Sequence, residues 1–148
     1  MSATRLTFLV AMTAMLMLSV ACNSQQAAVE TEDNSVIDSE SLIAGLETAG
    51  ATVEVTGTVS QPFFTPEGQV ITVDGQDVQV FEYESEADAK AEADLVAPDG
   101  SSVGTSMMTW IATPHFYSGG QLIVLYVGDQ SSTMNLLEEV LGSQFAGG

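Results

Sequence analysis

The stretch Gln121 to Val127 (QLIVLYV) sets the tightest limit on how this chain folds. A half-exposed strand alternates apolar and polar residues, but this run is apolar at nearly every position, so it belongs at the centre of a sheet covered on both faces. Other segments must then supply its neighbours. Val70 to Val73 and Val78 to Tyr83 are short β-rich runs, and the Asp74-Gly75-Gln76-Asp77 sequence between them is a turn that joins them as an antiparallel hairpin. Thr52 to Val59 sets Val53 and Val55 against Glu54, as a half-buried strand does, and Gly57 is placed for a bulge. Met107 to Ala112 (MMTWIA) reads as a further strand, Gln61 to Gly68 (QPFFTPEG) as a loop, and Pro114 to Gly120 (PHFYSGG) as a loop or hairpin turn.

Three helices are expected around these strands. Asp38 or Ser39 caps the first, which carries Leu42, Ile43 and Leu46 on one side and stops at Gly50. Ser85 caps the second, with Asp88 in the place of a capping-box acid, and the alanine-rich segment runs to about Leu95 before the Pro98-Asp99-Gly100 turn. The third spans Ser131 to Leu141 with Met134, Leu137, Val140 and Leu141 at helical spacing and Gly142 as its C-terminal glycine, after which Phe145 returns to the domain. The order α-β-β-β-α-β-β-α implies an α+β fold: a two-layer sandwich with a largely antiparallel sheet of about five strands and helices mainly on one face.

Ahead of this domain lies a processing segment. Arg5 precedes an apolar run of 13 residues, Leu6 to Leu18, which is shorter than the roughly 17 to 25 residues of a membrane-spanning helix and fits a signal peptide. The run ends in Leu18-Ser19-Val20-Ala21-Cys22. This sequence resembles the lipobox of bacterial lipoproteins, with Ser19 where the family usually has leucine and Leu18 one place further back. The resemblance implies cleavage before Cys22 and a lipid on its sulfur. Ser19 and Ala21 also suit ordinary signal peptidase, which would cut the same bond. Cys22 is the only cysteine in the chain, so a secreted product without the lipid would carry an odd reactive thiol, and no disulfide can form within the chain.

The expected organisation is a signal peptide over residues 1–21, then a lipidated Cys22 and a disordered acidic tether over 22–37. A single domain follows over 38–148. A flexible tether of about 15 residues would hold the domain roughly 20 Å from its anchor. By resemblance to known lipoproteins, Asn23 after the cysteine would direct the protein to the outer membrane of a Gram-negative host; otherwise the anchor lies in the cell membrane. The order of motifs in the mature chain, from Phe63-Phe64 to the apolar strand ending in Tyr126-Val127-Gly128, resembles that of uncharacterised small bacterial lipoproteins, a likeness that implies no activity.

Charge narrows the partners. Once Arg5 has left with the signal, Lys90 alone faces all 20 acidic residues, a side-chain charge of −19. A surface of this sign repels nucleic acid and anionic headgroups, so binding to either through a basic patch is excluded. Adaptation to high salt is the first expectation, because the acids are spread along the whole chain, and its mark would be stability lost in dilute buffer. Cation binding and plain solubility are the alternatives.

Candidate chemistry is sparse. His115 is the sole histidine, so it is the first place to seek a general base, as in a surface hydrolase acting with nearby carboxylates. One histidine and no second thiol provide no zinc site, and no Gly-x-Ser-x-Gly elbow accompanies it. The acids Glu82, Glu84, Glu86, Asp88, Glu92 and Asp94 are dense enough to suggest a calcium-binding module but lack EF-hand spacing. No cofactor is implied and no metal site is assigned. The aromatic residues Phe63, Phe64, Trp110, Phe116 and Tyr117 offer a contact surface if their loops meet at one end of the sheet. The leading expectation is a non-enzymatic envelope lipoprotein that binds a protein, peptide or envelope polymer.

Overall fold

The structure is a computed structural model that describes residues 35–148. The signal segment, Cys22 and most of the expected tether lie outside the described residues. Chain order is α1 (Ser39–Thr48), β1 (Val53–Val59), β2 (Gly68–Val73), β3 (Gln76–Glu82), α2 (Glu86–Ala93), β4 (Ser102–Val103), β5 (Ser106–Met107), β6 (Pro114–Gly119), β7 (Leu122–Val127), α3 (Ser131–Leu141) and β8 (Ala146–Gly147). Six strands form a sheet in the order β1-β2-β3-β7-β6-β8, with every neighbour antiparallel, and β4 and β5 form a small separate hairpin. The fold class is α+β. No helix among the described residues is long and apolar enough to cross a membrane.

The apolar run from Gln121 is β7, and it lies between β3 and β6 with a packed layer on each side. Its even-numbered residues Leu122, Val124 and Tyr126 join one core with Leu42 and Leu46 of α1 and Leu137 of α3. The odd-numbered Ile123 and Leu125 join a second core with Phe81, Phe116, Phe64 and Ala89 of α2. Helices therefore cover the two faces unequally, α1 and α3 on one and α2 on the other, so the sheet is a middle layer and not one half of a two-layer sandwich. The reason is local: a central strand with two apolar faces leaves neither side free to meet water.

Local chemistry accounts for the elements that form. Asp38 closes a reciprocal cap, its Oδ1 accepting from the Ser41 amide at 2.9 Å while Ser41 Oγ accepts from the Asp38 amide at 3.0 Å. The β2–β3 turn is the two residues Asp74 and Gly75, both at positive φ (50° and 82°), which matches the twist of a tight hairpin. The register of β1 against β2 shifts between Val55 and Gly57, where a bulge was expected, and β1 is the edge strand, leaving Val55 55% exposed. The Gln130 side chain makes no capping bond at the start of α3, but its backbone amide donates to the Tyr126 hydroxyl at 3.1 Å.

Four readings of the sequence need correction. Pro114 to Gly119 is a strand and not a loop: proline is tolerated as the first residue of a strand, and β7 and β8 pair with β6 on either side. Met107 to Ala112 is not a strand of the main sheet; only Ser106 and Met107 pair, within the small hairpin. Trp110 holds the rest of that segment, donating from Nε1 to the Gly100 carbonyl at 2.7 Å. The tail adds a strand that was not expected, β8, and the Phe145 amide donates to the Phe116 carbonyl at 2.8 Å. At the other end the folded part begins before residue 38, since Val36 is buried in the first core and the Ile37 carbonyl accepts from the Gln121 amide at 2.8 Å.

Candidate functional site

His115 lies on β6 with its ring on the face shared with Tyr126, stacked at 6.0 Å between ring centroids and 22° between planes. It is buried, Nδ1 is 2.6 Å from Gln144 Oε1, and Nε2 has no hydrogen-bond partner among the described residues. Gln144 in turn donates from Nε2 to the Gly147 carbonyl at 3.2 Å. This amide chain ties the C-terminal turn to β6. A general base needs a path to a substrate proton, and a side chain enclosed by β6, Tyr126 and the tail lacks one.

The expected aromatic surface is an interior. Phe63, Phe64, Trp110 and Phe116 do come together, in edge and tilted contacts of 4.9 Å (Phe63–Phe64), 6.0 Å (Phe63–Trp110) and 5.9 Å (Trp110–Phe116). Phe64 continues the cluster to Phe81 at 4.8 Å. Phe64 and Phe116 are buried in the second core, and Phe63 and Trp110 are half-buried against it, so these rings cover the sheet beyond the reach of the short helix α2. Tyr117 is on the opposite face, fully enclosed in the first core. Neither Phe116 nor Tyr117 is a loop residue available to a ligand, which corrects their assignment as contact residues.

The open concave site lies elsewhere, where the end of β3 meets the side of α2. A cleft of about 500 Å³ is floored by Tyr83, Ala91 and Leu95, walled by Thr65 and Pro66 of the β1–β2 loop, and rimmed by Glu84, Asp88 and Glu92; Glu82 also lines it, but its carboxylate accepts from the amide and hydroxyl of Ser39 in α1. Thr65 closes one end, its hydroxyl donating to Glu92 Oε1 at 2.6 Å. Asp88 is the acid of the α2 cap, its amide donating to Ser85 Oγ at 3.2 Å and its Oδ2 accepting from that hydroxyl at 2.6 Å. Of the expected acidic group, Glu84, Asp88 and Glu92 thus share the cleft, while the Glu82 carboxylate turns to Ser39 and Asp94 pairs with Lys90 at 2.9 Å. Among the described residues no three His, Cys, Asp or Glu side chains converge as a metal-ion cluster.

Tyr83 is the side chain that reading the sequence for chemistry missed. It is 7% exposed, and its hydroxyl has no hydrogen-bond partner among the described residues. Burial raises its pKa, and the Glu92 carboxylate raises it further. A signal was present in the phase of the strand: residues 79, 81 and 83 share a face, so Tyr83 follows Phe81 toward the helix that starts at Glu86.

The two buried phenols predict how stability responds to alkali. Burial pushes Tyr117 up to about 12, with Glu138 and then Tyr126 adding to it. A phenol whose folded pKa is raised contributes stability that is complete below its unfolded value of about 10 and is lost as pH climbs through the folded value. Between those two values the expected loss is about 1.4 kcal/mol per pH unit for each phenol, and above the folded value the slope falls to zero. Urea denaturation across the alkaline range measures it, and a flat profile would contradict it. Tyr117→Phe should remove one share of the slope without weakening the protein at neutral pH, because the hydroxyl it deletes has no partner among the described residues.

Compared with protein-family models, curated proteins and solved structures, the chain finds no match.

Proposed function

We propose that this chain is exported, held at a membrane by a lipid on Cys22, and acts there as a non-enzymatic binding module whose binding surface is the cleft between β3 and α2. The anchor rests on the sequence Leu18-Ser19-Val20-Ala21-Cys22 and on the oddness of a lone thiol in an exported protein. The cleft rests on one observation above all. It is concave, largely apolar in its floor, and lined by Tyr83, whose buried hydroxyl has no hydrogen-bond partner among the described residues. A buried polar group costs stability unless something bonds to it, and a pocket that presents one among apolar walls has the make-up of a ligand site.

Mass spectrometry of the mature protein from membranes tests the first half: a diacylated N-terminal Cys22 is expected, and an unmodified Cys22 in membrane-free medium would refute it. The second half is tested by recovering the tagged protein with its envelope partners. Leu95→Glu, at a position 52% exposed on the cleft floor, should abolish capture while leaving the fold intact. Capture unchanged by Leu95→Glu, or a hydrolytic activity that disappears in a folded His115→Ala variant, would overturn the reading.

A further inference from the structure

We propose that the ligand of this cleft is an alkylammonium ion, either a free amine or a lysine side chain on a partner, an inference that rests on the cleft being the binding surface. The shape of the charge is the first argument. Glu84, Asp88 and Glu92 rim a cavity of about 500 Å³, yet no three acidic side chains among the described residues converge closely enough to hold a metal ion. A compact cation such as calcium takes six to eight oxygens at about 2.3 to 2.6 Å, which dispersed carboxylates do not supply. Spread around a wide rim, they suit a cation that brings its own bulk.

The floor supplies the second argument. Ala91, Leu95, Pro66 and the Tyr83 ring give an apolar surface that an inorganic ion would leave unfilled and an aliphatic stem would cover. The Tyr83 side chain lines the cleft, its hydroxyl is buried with no hydrogen-bond partner among the described residues, and burial keeps the phenol neutral, so an ammonium that reaches it can donate to that oxygen or lie against the ring face. Lys90, the one base among the described residues, bonds both carboxylate oxygens of Asp94, at 2.9 and 3.1 Å.

The test is a titration of the isotopically labelled full chain, followed by amide NMR at low and constant ionic strength so that screening does not vary. Hexylammonium, hexanol and calcium chloride are the three ligands compared. Hexylammonium should shift the amides of Tyr83, Glu84 and the Asp88 to Glu92 turn saturably, and about fivefold more tightly than hexanol, the worth of roughly one ion pair near water. The Glu84→Gln/Glu92→Gln double variant should weaken hexylammonium about fivefold or more and leave hexanol unchanged. Tyr83→Phe should weaken hexylammonium selectively.

Hexanol binding as tightly as hexylammonium would overturn the cationic ligand while leaving the cleft as a binding surface. Calcium shifting the same amides more tightly than either would likewise overturn it. Saturable shifts from none of the three at about 10 mM, well above a millimolar Kd, would remove the cleft itself. If a short lysine-containing peptide binds about tenfold more tightly than hexylammonium, the source is a protein partner; the reverse order identifies a free amine.

Discussion

Phe116→Ala should remove about 3–5 kcal/mol of folding stability, the range measured when a large aromatic side chain is deleted from a close-packed core. Phe116 is fully buried, and its ring touches Phe64, Trp110 and Phe145, which come from three different segments. It therefore joins the aromatic loop, the Met107 to Ala112 segment and the tail to the sheet. Simple collapse does not close the cavity, because neighbouring rings are held by other contacts, Trp110 by its bond to the Gly100 carbonyl and Phe64 by Phe81. Trp110 is the only tryptophan, so its fluorescence reports on the same site. A loss below about 1 kcal/mol in urea denaturation, with unchanged emission, would show that Phe116 is not the centre of this core.

Gly120→Ala should cost about 2–4 kcal/mol. Gly120 turns the chain from β6 into β7 at φ 53°, and a Cβ there would run into the backbone of Ile37. That strand of backbone cannot retreat freely, because the Ile37 carbonyl accepts from the Gln121 amide and Val36 is buried beside it in the first core. Gly50→Ala is the comparison: φ is 99°, but nothing lies within 4 Å of the added carbon, so only the backbone cost of about 1–2 kcal/mol should appear. Equal losses in the two variants would show that the contact between the β6–β7 turn and the N-terminal segment contributes nothing.

The same turn shows why the start of the domain was misplaced. Residues 22 to 37 are mostly polar and acidic, and two apolar residues at their end, Val36 and Ile37, are too few to show a period. Their place depends on a groove beside Gly119 and Gly120, more than eighty residues away in sequence. The loop assignment of Pro114 to Gly120 failed for a related reason. A proline at one end and two glycines at the other are honest turn signals, but between them His115, Phe116 and Tyr117 are committed to β6 by pairing with β7 and β8. Met107 to Ala112 went the other way: its β-prone residues pair with no strand of the main sheet beyond the small hairpin at Met107, and the segment is held by the Met108 amide on the Ser101 carbonyl and the Trp110 indole on the Gly100 carbonyl.

For the candidate site, the sequence supplied the acids and the wrong aromatics. Glu84, Asp88 and Glu92 were visible as part of a dense group, but a strand end and a helix had to be set beside each other before they enclosed anything. Of the five aromatics, Phe63, Phe64, Trp110 and Phe116 meet as the cover of the second core, while Tyr117 lies in the first.

Sequence alone determined the α+β class, the Asp74-Gly75 hairpin, the span of α3, and a central β7 with two faces to hide, because these follow from contacts within about four residues or from the period of one strand. Tertiary structure alone decided how those two faces are covered. α1 and α3 take one, while α2 and an aromatic cluster drawn from distant loops take the other. A run such as QLIVLYV states that both faces must be buried but carries no record of which side chains arrive to bury them.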